Sequence, residues 1–286
     1  VHLHEDRQRR SAQLAALDPS FDWHEIYRRL TLWEFPAEAR LGFQLAFYRP
    51  LAVPRMATLL QSTGHMQFDT TRRAYDTALM MHEIIHGGVD SERGRRMVRV
   101  LNRLHDRPDI HAEDMTYLLA ALMVVPTRVM DRFGWRPVTV AERESTWHFW
   151  DSLGERMRIA VRPASYDEAE DRMAEYEPAH FARSAAGEAL IRATLDTLRG
   201  RMPAPARPFV TQITSVLIEE PAVLRELALP LPSRPLLAVV DGAASLRRTI
   251  QRRTPPASEP SFTPGQPTRQ VYTHGYELDE LGPRDR

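Results

Sequence analysis

The feature that most constrains this chain is the period of its apolar residues. They recur at helical spacing almost throughout, and no stretch alternates with the period of two that a half-buried strand requires. The pattern predicts an all-α fold: a single multi-helix bundle of about ten helices around one apolar pocket. Over 22–63 it reads as three short helices, punctuated by Pro36, Pro50 and Pro54. Asp69 or Thr70 can cap a helix that carries Arg73, Thr77, Met80, Met81 and Ile84 and stops at Gly87-Gly88. Asp90 is expected to start the next, with Gly94, Met97, Val98, Leu101, Leu104 and His105 as its stripe, and Pro108 to end it. A long apolar helix over 112–133, kinked at Pro126, closes at Gly134. Thr139 with Glu142, and Ser165 with Glu168, have capping-box spacing. Further helices are predicted over 185–198, 209–227 and 236–251. The helical domain is thus drawn over 1–251. Residues 252–286 shift to Pro, Ser, Thr and Gly, and Tyr272-Thr-His-Gly-Tyr276 gives this tail aromatic surface to dock as an irregular strap.

Composition matters here mainly for what it excludes. The 38 basic and 38 acidic residues cancel and are interspersed, so no nucleic-acid partner is expected. With no cysteine, disulfides, thiolate nucleophiles, iron–sulfur clusters, haem–thiolate ligation and covalent haem attachment are all ruled out. Every one of the 38 basic residues is Arg, which removes Schiff-base and phosphate-loop lysine chemistry. Eleven histidines remain as nitrogen ligands and as acids or bases near neutral pH. The longest apolar run, 118–126, is far short of the roughly 20 residues a membrane-spanning helix needs. No charged segment followed by an apolar run opens the sequence, and a cytoplasmic location is expected.

Two constellations could carry chemistry. His82-Glu83-Ile-Ile-His86 is a literal HExxH, which on a helix stacks two imidazoles with a glutamate placed to activate a zinc-bound water. A zinc hydrolase is therefore one alternative. The extended metzincin pattern fails, however, at Val89 and Glu92, and no strands are visible to align a peptide. The plainer reading is a pair of histidines on a polar face near a helix C-terminus, where a charged imidazole suits the dipole. On that reading the side chains are exposed, and substitution of His82 or Glu83 is expected to cost under about 0.5 kcal/mol.

His105, by contrast, lies on the apolar stripe of its helix beside Leu101 and Leu104, so it must hydrogen-bond inside the core or bind something. Arg73 and Thr77 are stacked on one face of the preceding helix, and a short Gly-Gly turn would bring that face near His105. One imidazole, one guanidinium and one hydroxyl around an apolar slot suit a haem b, with His105 as iron ligand. His148 and His180 lie on amphipathic stripes as well. Turned inward with His105, they would make a three-histidine non-haem iron site instead.

The segment Arg96–Asp109, the string Glu113-Asp-Met-Thr-Tyr-Leu-Leu119 and Pro126-Thr-Arg-Val-Met-Asp-Arg-Phe-Gly-Trp-Arg136 resemble the MpaB oxygenase family. His105 and Asp109 match its HxxxD signature. Arg73, Thr77 and His105 resemble the Arg, Thr and axial-His pattern of the related latex-clearing rubber oxygenases, which are helical haem b proteins that cleave isoprenoid double bonds with O₂. The resemblance extends to Asp22-Trp-His-Glu-Ile-Tyr27 and to the Tyr-x-x-Gly-Tyr tail.

This resemblance implies a haem-dependent oxygenase or oxidase acting on a hydrophobic small molecule with O₂ or peroxide. His105 would be the metal ligand and Leu101 part of the cofactor wall. Arg73 and Thr77 would be polar donors on the oxygen side or, for Arg73, partners of the cofactor. Asp109 would fix the His105 tautomer. Hydrophobic substrate and O₂ are the expected partners, no transmembrane segment is expected, and a homodimer is left open. A haem or lipid carrier without turnover would use the same residues.

Overall fold

A computed structural model describes residues 2–63 and 70–282. Among them the chain is all-α, with thirteen α-helices and no strand. They are α1 (His2–Ala15), α2 (Trp23–Arg29), α3 (Pro36–Ala46), α4 (Pro54–Ser62), α5 (Thr70–Gly87), α6 (Glu92–His105) and α7 (Ala112–Phe133). Then follow α8 (Val140–Arg156), α9 (Tyr166–His180), α10 (Ala185–Arg201), α11 (Val210–Ile218), α12 (Pro221–Glu226) and α13 (Arg234–Arg253). Among the described residues no helix is long and apolar enough to cross a membrane.

The core forms around α7, which is apolar on nearly every face. Its kinking residue is a packing feature: a Cβ on Gly42 of α3 would lie 2.3 Å from the Pro126 Cα, so only glycine lets these two helices approach. Aromatic pairs fix the neighbouring helices. Tyr117 of α7 stacks on Tyr176 of α9 at 4.2 Å, and Tyr27 of α2 stacks on Phe149 of α8 at 4.3 Å. Trp150 donates its indole N–H to the Tyr27 hydroxyl at 3.0 Å, so the buried polar ends satisfy one another. Met80, Met81, Met97, Met123 and Met130 fill this core, in keeping with their helical spacing.

Several local expectations change. A π-helical turn, Leu30–Glu34, links α2 to α3. Ser91, not Asp90, caps α6, its hydroxyl accepting from the Gly94 N–H. The Thr139 capping box is complete. Ser165 caps α9, but Glu168 reaches past it to accept from the Ala164 N–H. The helix predicted over 209–227 is split: a 3-10 turn, Ala204–Phe209, precedes α11, and Glu219 at φ 65° with Pro221 behind it separates α11 from α12. The cap proposed at Asp69 lies outside the described residues.

Beyond α13 the tail packs as a strap. Ser261 N–H donates to the Leu32 carbonyl at 2.8 Å. Phe262, Tyr272, Tyr276, Leu278 and Leu281 are all buried against the bundle.

Candidate functional site

Helices α5 and α6 form an antiparallel hairpin whose turn is defined by two glycines. Gly88 adopts φ 86°, in the left-handed region that favours glycine. A Cβ on Gly94 would lie 1.9 Å from the Gly88 carbonyl oxygen, so the first turn of α6 closes only over glycine. Arg73 and His105 each lie about fourteen residues from this turn, about 20 Å at 1.5 Å per residue, and so come level on neighbouring helices.

His105 is half-buried at the end of α6, and its Nδ1 lies 2.7 Å from the Leu101 carbonyl oxygen. A carbonyl only accepts, so Nδ1 carries the proton and Nε2 keeps its lone pair. Burial lowers the pKa of this imidazole, and the Arg73 guanidinium lowers it further, against the opposing effect of the Leu101 hydrogen bond. The ring is therefore held in the neutral form, with the nitrogen that can ligate a metal free of any partner among the described residues.

Arg73 is itself pushed down by burial, with Asp76 opposing. Among the described residues it has no hydrogen bond or salt bridge. The residue is half-buried, and a partly desolvated guanidinium without a bonded anion marks a place where an anionic group would be stabilised. Thr77 is half-buried one turn further on.

The structure thus brings His105, Leu101 and Arg73 together, with Thr77 on the same helix as Arg73. Asp109 stands apart. It is exposed in the α6–α7 loop and takes both Arg107 hydrogen bonds, at 2.9 and 2.7 Å. The orienting role expected of Asp109 falls instead to the Leu101 carbonyl, which sequence reading overlooked because a backbone oxygen carries no residue signature. The i−4 position of an apolar-stripe histidine was the available signal.

His148 and His180 are engaged elsewhere. His148 lies against Trp147 and Trp23, with ring centroids 4.4 and 6.4 Å away. His180 stacks on Tyr176 at 4.0 Å, and its Nε2 lies 3.6 Å from Glu113. Among the described residues no group of three or more His, Asp or Glu side chains is arranged to hold a metal ion, so the three-histidine arrangement is not formed.

The HExxH string is also not what it spells. Glu83 is buried, not on an exposed polar face. Arg93 of α6 grips its carboxylate with two bonds of 2.7 Å, and the Tyr276 hydroxyl donates to it at 2.5 Å. Seven residues earlier on α5, Asp76 accepts from the Tyr272 hydroxyl at 2.5 Å. The rings of His82 and His86 border Phe262 of the strap, with centroids 5.3 and 6.1 Å away. Glu83 is committed to a latch joining α5, α6 and the strap, and is not placed to activate a water between the two histidines. This geometry removes the basis for the zinc-hydrolase alternative.

Two cavities lie away from this hairpin. One opens between α3, α7 and the α11–α12 junction, lined by Leu45, Arg49, Val129, Phe133 and Glu220 among others. The other lies between α6 and the strap, at Arg96, Arg99, Arg103 and Leu281. Neither is lined by His105, Arg73 or Thr77.

Comparison with known proteins adds the family. A family model described as "ER-bound oxygenase mpaB/B'/Rubber oxygenase, catalytic domain" matches residues 37–252. ER-bound oxygenase mpaB of Penicillium roqueforti (strain FM164) is 29% identical over 142 residues, covering 48% of this chain and 48% of that protein. ER-bound oxygenase mpaB of Penicillium brevicompactum is 28% identical over 141 residues, covering 47% of this chain and 36% of that protein. These matches thus span half or less of the curated relatives' length. The solved structure of latex clearing protein LCP in the closed state aligns with a TM-score of 0.57 at 18% identity, covering 82% of this chain and 72% of that one. At that identity the likeness is one of fold. With the family model covering most of the bundle, the chain belongs to the mpaB/B′ and rubber oxygenase catalytic-domain family.

Proposed function

We propose that this chain is a haem-dependent oxygenase or oxidase that acts on a hydrophobic small molecule with O₂ or peroxide. The oxygenase class is supported by the names of its relatives. The observation that carries the haem reading is the donor set of the α5–α6 hairpin: a neutral imidazole whose Nε2 has no partner among the described residues, level with a half-buried guanidinium that lacks a bonded anion among them. A single imidazole suits a macrocycle that brings its own four nitrogens and carries anionic propionates. A non-haem iron would call on His148 and His180, which are occupied by aromatic and acidic neighbours.

Haem b, when bound, supplies the redox-active iron needed for O₂ or peroxide chemistry. The chain's own residues do the rest. His105 would offer Nε2 to the haem iron, while the Leu101 carbonyl holds the Nδ1 proton and so the ring orientation. Leu101, buried on the same stripe, contributes apolar wall that keeps water away. Arg73 presents N–H donors and a positive charge to any anion formed beside the imidazole, and Thr77 adds a hydroxyl one turn away. A carrier would need the ligand and the wall but not these donors.

The purified protein is expected to show a Soret band. His105→Ala should lose it while far-ultraviolet circular dichroism stays unchanged. Full haem retention in His105→Ala would remove His105 as the ligand, and a wild-type chain that takes up no haem would overturn the cofactor assignment.

A further inference from the structure

Helix α13 is twenty residues long, and Ala244 is its one buried residue. Its inner face, with Leu236, Leu237, Val240 and Ala244, leans on the bundle. The apolar arc does not stop where the bundle stops. Val239, Leu246 and Ile250, at spacings of seven and four, form an adjoining stripe that is 66%, 63% and 56% exposed. Gly242 and Ala243 lie within the same arc, and a Cβ on Gly242 would meet nothing within 4 Å. Leu231, just before the helix, is 69% exposed. Scattered exposed aliphatics need no explanation, but a continuous stripe on one helix does.

The charge on this helix identifies what covers the stripe. The chain as a whole is neutral, yet α13 carries Arg234, Arg247, Arg248, Arg252 and Arg253 against a single acid, Asp241. Asp241 is bonded to Arg132 at 3.3 Å, so it does not offset the exposed arginines. Arg247 pairs with Glu38 at 2.6 Å, and Arg252 donates to the Trp135 carbonyl, which fastens the inner side of the helix to the body. Arg234 and Arg253 are exposed at its two ends. Two copies meeting through this face would each bring a helix of net positive charge to the seam, which disfavours self-association. An aliphatic stripe with Arg253 beside it, on a helix whose other arginines lie on its polar side, has the form of a helix that seats in the headgroup layer of a bilayer.

We infer that α13 is an interfacial helix that docks this chain on an anionic lipid surface, with Val239, Leu246 and Ile250 inserted among the acyl chains and the arginines on lipid phosphates and carboxylates. The attachment is peripheral and reversible, and it does not depend on the cofactor or on the reaction proposed above.

Vesicle flotation of the 286-residue chain tests this. The protein should float with phosphatidylcholine vesicles containing about 30% phosphatidylserine, and not with phosphatidylcholine alone. Leu246→Glu with Ile250→Glu should lower the bound fraction at least about tenfold. Arg248→Gln with Arg253→Gln should weaken binding and flatten its salt dependence. All these side chains are at the surface, so circular dichroism and melting temperature should match the wild type. Absence of flotation by the wild-type chain overturns the inference. So does equal binding to both vesicle types. If Leu246→Glu with Ile250→Glu converts a dimer to a monomer in sedimentation without affecting flotation, the occupant is a second copy and the lipid assignment fails.

Discussion

At the scale of single residues, the candidate site rests on two pKa shifts in one direction. Burial disfavours the charged forms of both His105 and Arg73, and the Arg73 guanidinium further disfavours charge on His105. The coupling has a direct readout. Arg73→Leu should raise the His105 pKa, followed by nuclear magnetic resonance of the ring Cε1 proton. An unchanged titration would mean that the two groups do not sense each other. On the proposed function the same substitution separates two roles. If Arg73 serves a propionate, haem is lost more readily. If it serves the oxygen side, which we favour, haem stays and turnover slows by about 10²–10³-fold. Near-wild-type haem content and turnover would leave Arg73 with no part in the reaction.

At the scale of elements, α5 is held from both sides. Arg93 of α6 and Tyr276 of the strap share the Glu83 carboxylate, while Tyr272 bonds Asp76 two turns earlier. Burial raises the pKa of both phenols, and their carboxylate partners raise it further, so they remain proton donors across the physiological range. The latch fixes the rotation of α5 and with it the bearing of Arg73. Because Glu83 is buried while Arg93 is partly exposed, the ion pair contributes less than a fully enclosed one. The larger cost of truncating Glu83 is the unsatisfied Tyr276 hydroxyl and the space left behind. Glu83→Ala should therefore lose about 1–3 kcal/mol in urea denaturation, and Tyr276→Phe about 1 kcal/mol. This reverses the near-neutral expectation that the HExxH string suggested. A Glu83→Ala protein as stable as wild type would show that the strap is not latched through this residue.

Across the whole molecule, histidines kept neutral make stability depend on pH. His24, His82 and His86 all have lowered pKa values, with burial the largest cause in each. His24 Nε2 lies 3.0 Å from the Ile85 carbonyl and His82 Nδ1 lies 2.6 Å from the Ala78 carbonyl, so both rings bond in their neutral forms. The unfolded chain takes up protons at these sites near the ordinary value of about 6.5, before the folded chain does. Their contribution is thus fully present above that pH and is lost as pH falls toward the folded values. Melting temperature should drop between about pH 7 and pH 5.5, and the drop should be shallower in His24→Gln with His82→Gln. A flat profile in the wild type would contradict the neutral assignment.

The sequence by itself determined the local properties. The 3.6-residue period made the chain helical, glycine and proline marked most helix ends, and α7 runs over Ala112–Phe133 as the apolar pattern required. The nearness of Arg73 and His105 was legible only to within a turn, since 14 residues separate Arg73 from Gly87 and 17 separate Gly88 from His105, and the structure sets the register by starting α6 at Glu92. Tertiary structure decided which polar groups were already spoken for. Glu83 reads as a solvent-facing catalytic glutamate until Tyr276, 193 residues away, covers it. His148 and His180 read as candidate ligands until Trp23 and Glu113 reach them. Asp109 reads as the partner of His105, yet an adjacent arginine takes it while a backbone carbonyl does the orienting. The physical reason is common to all of them. Helix formation depends on neighbours a few residues apart, whereas the burial and pairing of a charge depend on whichever distant segment the packed chain lays across it.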